Sequence, residues 1–174
     1  ELDEQLKTHR VTTLFLTTSL FRTVVREQTQ IFEGLKTLLF GGEVLSVGDA
    51  VLCQKHLPDV MLSNVYGPTE NVTFSTSHRL NGGAEESSVP IGKCINATQA
   101  YILNDDLEPL APGIIGELFL AGDGLARGYY GCPDLTAECF IANPFNDKPG
   151  QRMYRTGDLA RYRGNGDIEF IGRK

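Results

Sequence analysis

At 174 residues the chain can build one domain, or part of a larger one, around a sizeable core, and its 41% hydrophobic and 22% charged content is that of a soluble globular protein. A formal charge of −6, a pI near 5.1 and no local cluster of Lys or Arg argue against a nucleic-acid partner. No apolar run approaches the roughly 20 residues that a membrane helix needs, and residues 1–10 are too charged for a signal peptide, so a cytoplasmic protein without membrane contact is expected. Cys53, Cys94, Cys132 and Cys139 show no CxxC pairing and His9, His56 and His78 are scattered between them. No zinc site is expected, and the cysteines read as reduced and structural. Asn71-Val72-Thr73 and Asn96-Ala97-Thr98 fit the glycosylation pattern but carry little weight without a secretion signal.

Taken in order, residues 1–10 read as a surface helix with Leu2 and Leu6 among charges. Val11–Leu16 is rich in β-branched and aromatic residues and predicts a buried strand, after which Thr17 or Thr18 caps a helix with Leu20, Phe21, Val24 and Val25 as its apolar stripe. A second strand over Leu35–Phe40 closes at Gly41-Gly42, a helix covers Asp49–His56, and a third buried strand covers Val60–Tyr66. This alternation predicts parallel βαβ construction. After Glu70, Val72, Phe74 and Thr76 alternate with polar residues as in a strand, and Asn81–Ser88 is a polar loop. Strands are then predicted over Gln99–Leu103, Gly116–Ala121, Met153–Tyr162 and Asp167–Ile171, separated by turn-forming Asn104-Asp105-Asp106, Ala111-Pro112-Gly113 and Arg163-Gly164-Asn165-Gly166. One helix begins at Pro133, with Leu135, Cys139 and Phe140 as its buried side. The expected class is α/β, with βα units over residues 1–80 and a mainly β, antiparallel or barrel-like part over 81–174, both belonging to one incomplete domain.

Three stretches carry candidate chemistry. In Asn64-Val65-Tyr66-Gly67-Pro68-Thr69-Glu70 a turn follows a strand, where open α/β sheets place their ligands. Tyr66 could offer a ring to a base, Thr69 a hydroxyl to a phosphate, and Glu70 a hard oxygen to magnesium. Alone, the stretch reads first as an ordinary strand-to-strand turn with a solvated Glu. The bend from Gly116 to Tyr129 has GxGxxxG spacing rather than the dinucleotide GxGxxG, and alone reads as a structural loop. In Tyr154-Arg155-Thr156-Gly157-Asp158-Leu159, a carboxylate on a turn after a strand could accept both hydroxyls of a ribose, or simply cap the turn.

In order and spacing these stretches, with Val89-Pro90-Ile91-Gly92 and Ile171-Gly172-Arg173-Lys174, resemble the shared motifs of the adenylate-forming superfamily, in particular the adenylation domains of nonribosomal peptide synthetases. The resemblance covers essentially the whole chain and implies the later part of the large N-terminal domain, with βα units of a doubly wound sheet followed by strands of a neighbouring sheet and barrel. It implies that Tyr66 stacks on adenine, that Asn64 lies near the adenine amino group and that Gly42 lines the other side. Thr69 is similar to a phosphate-contacting hydroxyl, Glu70 to the magnesium-coordinating carboxylate, and Asp158 to the ribose-binding aspartate. Arg173 is similar to an arginine near ribose and phosphates, and Phe170 stands where many relatives have Tyr, without the hydroxyl.

The implied reaction is attack of an amino acid carboxylate on the α-phosphorus of ATP, giving aminoacyl adenylate and pyrophosphate, then transfer to the phosphopantetheine thiol of a carrier domain. Peptidyl carrier and condensation domains of the same assembly line are the implied partners, and Glu70 and Thr69 the implied catalytic residues. The family's phosphate loop, the segment with the amine-holding aspartate and the small C-terminal domain with its lysine lie outside residues 1–174, so the chain alone is expected to be inactive. Phe15, Leu39, Gly41, Val65, Thr73 and Phe74 are the implied side-chain pocket. None is charged, which favours a medium-sized, branched aliphatic amino acid. An acyl- or aryl-CoA ligase-like enzyme, a non-catalytic nucleotide-binding relative and a purely structural domain remain as alternatives.

Overall fold

The computed structural model describes residues 2–81 and 88–174, so most of the predicted polar loop Asn81–Ser88 lies outside the described residues. The elements are α1 (Leu2–Thr8), β1 (Thr13–Thr17), α2 (Thr18–Glu27), a 3₁₀ turn (Thr29–Phe32), β2 (Thr37–Gly41), α3 (Val47–His56), β3 (Met61–Tyr66), β4 (Thr76–Arg79) and β5 (Lys93–Cys94). They continue with β6 (Thr98–Leu103), β7 (Gly116–Gly122), α4 (Pro133–Cys139), β8 (Phe140–Ala142), β9 (Arg152–Tyr162) and β10 (Ile168–Arg173). The chain forms two compact units, Glu1–Val65 with His78–Pro90, and Tyr66–Ser77 with Ile91–Lys174.

In the first unit β1, β2 and β3 are parallel, in register Phe15↔Leu39 and Leu39↔Ser63, as the strand and helix alternation predicts. The Thr17 hydroxyl caps α2 by accepting from Leu20 N, and Ser46 caps α3 by accepting from Asp49 N at 3.1 Å. Phe21 and Val25, one helical turn apart, carry the buried face of α2, and Phe21 stacks on Phe40 of β2 at 4.5 Å between centroids. Each fully buried Phe contributes about 1.5–3 kcal/mol of burial free energy. Leu20, expected in that stripe, is 47% exposed because the helix turns it away from the sheet. Met61, placed by the sequence in a buried strand, also lies at the surface.

The second unit is an antiparallel sheet in the order β10-β9-β7-β6, with β8 also paired to β9. Leu118 and Leu120 of β7 pack with Ile102, Ala160 and Ile168, while Phe119 and Ala121 pack with Leu103 and Met153. Alternate residues point to opposite faces, so an unbroken apolar run marks a strand covered on both sides. The first residues of β4 pair with β5, Thr76↔Cys94 and Ser77↔Lys93. Asn104 Oδ1 accepts from the Asp106 and Glu108 amides, and Asn165 Oδ1 from Asp167 N, forming the predicted Asn-centred turns.

Two further predicted features differ. The alternation Val72, Phe74, Thr76 becomes a strand only at Thr76, because Val72 and Thr73 have φ of 52° and 68° and cannot be extended. α4 begins with Pro133 as expected, but none of its residues is buried; Phe140, assigned to its buried side, is instead the buried first residue of β8.

Candidate active site

The loop after β3 is shaped by its backbone. Ser75 N donates to the Tyr66 carbonyl at 2.7 Å, folding the chain back on itself. A Cβ on Gly67 would stand 2.6 Å from both Ser75 N and the Thr73 carbonyl oxygen, so only glycine fits there. Asn71 N donates to the Pro68 carbonyl at 3.1 Å, and the buried Asn71 side chain donates to Ser75 Oγ at 2.9 Å. Between these anchors Phe74 N donates to the Val72 carbonyl at 2.7 Å, closing a γ-turn centred on Thr73. Two successive β-branched residues at positive φ cost about 1–3 kcal/mol each, and the loop keeps them because Asn71 and Ser75 fix both ends.

This fold-back presents Glu70. Its carbonyl accepts from Ala126 N at 2.8 Å, and its Oε1 accepts from the Tyr129 hydroxyl at 2.6 Å, with the Tyr154 hydroxyl 3.3 Å from that of Tyr129. Burial pushes the Glu70 carboxyl up, but the Tyr129 hydroxyl, its own backbone amide, Tyr154 and the charge of Arg173 outweigh it. The carboxyl therefore titrates below its ordinary value and is ionised at neutral pH. Thr69 is exposed beside it.

Asp158 stands on a bulge inside β9, rather than on a turn after a strand. On β7, Glu117 pairs with Leu159 and Phe119 with Arg155, so Leu118 alone faces Thr156-Gly157-Asp158. Gly157 adopts φ 72°, the Thr156 hydroxyl donates to the Leu118 carbonyl at 2.7 Å, and Asp158 N donates to Thr156 Oγ1 at 3.0 Å. So aimed, Asp158 Oδ2 accepts from the Tyr66 hydroxyl at 2.5 Å, and Oδ1 lies 3.3 Å from Arg173 Nε. Burial first, then the bond to Asp158, holds the Tyr66 phenol far above its ordinary pKa. The Phe170 ring lies 6.4 Å from that of Tyr66. The second unit thus brings together Tyr66, Thr69, Glu70, Asp158, Phe170 and Arg173, with Thr73 and Phe74 on the same loop.

The remaining predicted residues belong to the first unit. Gly41 and Val65 lie at the carboxyl ends of β2 and β3, whereas Phe15 and Leu39, paired with each other, are the middle residues of β1 and β2; Phe15 is 39% exposed and Val65 buried. A Cβ on Gly41 would overlap the Val65 carbonyl oxygen, so its glycine is required by the approach of two backbones. Gly42 follows at φ 91°, with open space where a side chain would stand. The Asn64 side chain is buried and donates to the Pro90 carbonyl at 2.8 Å.

Tyr129 and Tyr154 have no role that their local sequence reveals, though each sits in one of the three chemistry-bearing stretches. Among the described residues no three His, Cys, Asp or Glu converge on a metal site. Glu70 with Thr69 instead offers hard oxygens of the kind that suit magnesium carried on a polyphosphate, which keeps several waters and uses one or two carboxylates.

The AMP-binding enzyme family matches residues 2–130. The chain is 45% identical over 173 residues to tyrocidine synthase 3 of Brevibacillus parabrevis and 43% identical over 174 residues to the dimodular nonribosomal peptide synthase of Bacillus subtilis (strain 168). These matches cover 99% of the chain but only 3% and 7% of those synthases. Among solved structures, PA1221, an NRPS protein containing adenylation and PCP domains, superposes with a TM-score of 0.92 at 37% identity, over 99% of this chain and 35% of that one. The Klebsiella oxytoca NpsA N-terminal subdomain in complex with 3-hydroxybenzoyl-AMSN gives 0.86 at 31% identity, over 99% of this chain and 44% of that one. With the family match covering most of its length, the chain belongs to the AMP-binding enzyme family.

Proposed function

We propose that the chain is the nucleotide-holding part of an adenylation domain that activates an amino acid with ATP in nonribosomal peptide synthesis. The observation that carries this reading is the second unit's pairing of an aimed ribose-type carboxylate, Asp158, with an ionised loop carboxylate, Glu70, beside Tyr66 and Arg173. In the reaction a carboxylate oxygen of the amino acid bonds to the α-phosphorus as the bond to pyrophosphate breaks. Asp158 accepts the ribose hydroxyls, the Tyr66 ring supports the base, and Arg173 and Thr69 meet phosphate oxygens. Held by Glu70, magnesium would neutralise phosphate charge. Such catalysis is largely positioning and charge compensation.

The acyl group then passes to a phosphopantetheine thiol on a carrier domain, with a condensation domain as the next partner and the cytoplasm as the place where ATP is supplied. Among the described residues no helix is long and apolar enough to cross a membrane. Apolar Phe15 and Leu39, midway along β1 and β2, and Val65, near the end of β3, favour a branched aliphatic side chain. The NpsA complex with 3-hydroxybenzoyl-AMSN motivates a second reading, activation of an aryl acid.

Substrate-dependent ATP–pyrophosphate exchange by the full synthetase, across the standard amino acids and a panel of aryl acids, tests both. Preference for valine, leucine or isoleucine is expected. Exchange with aryl acids alone would establish the second reading, and preference for a charged or large aromatic amino acid would overturn the substrate assignment. Residues 1–174 alone are expected to give no exchange.

A further inference from the structure

We infer that Tyr129 and Tyr154 form a hydroxyl clamp that sets the orientation of Glu70, making Tyr129 a positioning residue for the metal-binding carboxylate. The inference rests on the proposed role of Glu70. Tyr129 has one hydroxyl proton and gives it to Glu70 Oε1 at 2.6 Å, while Tyr154 stands 3.3 Å behind it. The carboxylate cannot turn about its side chain without breaking that bond.

The clamp is itself built. Phe140, buried at the start of β8, lies edge-on to Tyr129 at 5.5 Å and against Tyr154 at 5.1 Å, so one ring fixes both phenols. Tyr129 N donates to Thr136 Oγ1 at 2.9 Å, and that hydroxyl donates to the Cys132 carbonyl at 2.8 Å, tying Tyr129 to α4. Arg152 donates to the Arg127 and Ala126 carbonyls at 2.9 and 3.1 Å, and Ala126 N returns a bond to the Glu70 backbone. The glycine-rich bend therefore grips Glu70 at both main chain and side chain. Hydrogen-bond partners of metal-ligating groups commonly control metal affinity by about 10–100-fold.

The test uses the full synthetase with Tyr129→Phe, Tyr154→Phe, Glu70→Gln and the Tyr129→Phe/Glu70→Gln double variant. Two affinities are measured: Mn²⁺, by electron paramagnetic resonance in the presence of a non-hydrolysable ATP analogue, and AMP without metal. Tyr129→Phe should weaken Mn²⁺ about tenfold, Tyr154→Phe less, with metal-free AMP affinity unchanged and only a modest loss of melting temperature from the missing hydrogen bond. The double variant should bind Mn²⁺ no more weakly than Glu70→Gln alone, because the phenol acts through the carboxylate. Wild-type Mn²⁺ affinity in Tyr129→Phe, additive losses in the double variant, or parallel losses of AMP affinity and melting temperature would overturn the clamp. Wild-type Mn²⁺ affinity in Glu70→Gln would instead overturn the metal role of Glu70 on which it rests.

Discussion

Arg173 lies directly across the β9–β10 ladder from Asp158, with its Nε 3.3 Å from Asp158 Oδ1, while the Tyr66 hydroxyl holds the other oxygen. The two partners are unequal: Tyr66 is largely enclosed, whereas the Arg173 side chain is 74% exposed. Exposed ion pairs contribute about 0.2–1 kcal/mol, hydrogen bonds to charged groups about 1.5–3 kcal/mol. Asp158→Asn in the full synthetase should therefore weaken AMP binding about 10–100-fold, Tyr66→Phe about tenfold, and Arg173→Ala, which loses the proposed phosphate contact as well as the weak exposed ion pair, also about tenfold. Equilibrium binding of AMP measures all three, and an Asp158→Asn variant with wild-type affinity would remove Asp158 from the site.

Gly157 supplies the positive φ that lets three residues of β9 face Leu118 alone. Alanine there pays about 1–2 kcal/mol for the left-handed conformation, or releases it by straightening the strand and turning Asp158 away. Gly157→Ala should lower the melting temperature and weaken AMP binding together. A stability loss with full AMP affinity would show that the bulge does not aim Asp158.

Much of this was legible in the chain. Parallel βα construction follows from β-branched runs alternating with capped helices, and the Asn-centred turns from their own side chains. What escaped the sequence depends on partners distant along the chain. The phenol of Tyr129 meets Glu70 from 59 residues away, and no local pattern specifies that pairing. The alternation Val72, Phe74, Thr76 looked like a strand, yet the buried Asn71 and Ser75 pin a γ-turn there, so tertiary anchoring overrode local propensity. Gly41 is a pocket residue by resemblance alone, and the close approach of the Val65 backbone, a further reason for glycine there, cannot be read from its own sequence neighbours.

Asp49 is buried in the first unit, 2.7 Å from Arg22 and 2.8 Å from Arg26, and accepts a hydrogen bond from Ser46. Burial pushes its carboxyl up, but Ser46 and the two guanidiniums outweigh this and leave it below the ordinary value. A carboxyl lowered in the folded state stabilises at pH above its unfolded value, about 4, and that contribution disappears as the pH falls through the folded value. Asp49→Asn should cost about 1–2 kcal/mol at pH 7, the partly exposed arginines keeping the loss small. The gap to wild type should narrow between pH 5 and pH 3 in thermal unfolding of the full synthetase; a gap constant across that range would show that the pair does not govern acid stability.

Substitutions at Phe15, midway along β1, and at Gly41, the last residue of β2, should act differently. Phe15 is partly exposed on β1, and shortening it opens space without disturbing the ladder to β2. Under the proposed substrate role, Phe15→Ala should reduce kcat/KM for a branched aliphatic substrate and raise it for a bulkier one such as phenylalanine. An apolar pocket discriminates by only about 1–3 kcal/mol per methylene, so the ratio should move about 10–100-fold without inverting completely. Gly41→Ala adds a smaller group but directs it into the Val65 carbonyl, so the β2–β3 ladder must part before any pocket narrows. That variant should lose folded yield and melting temperature, with residual activity showing unchanged preference among amino acids. Pyrophosphate exchange across the amino acid panel, read beside thermal unfolding, separates the two cases. A stable Gly41→Ala enzyme with preference shifted to smaller substrates would show that Gly41 is a pocket wall after all.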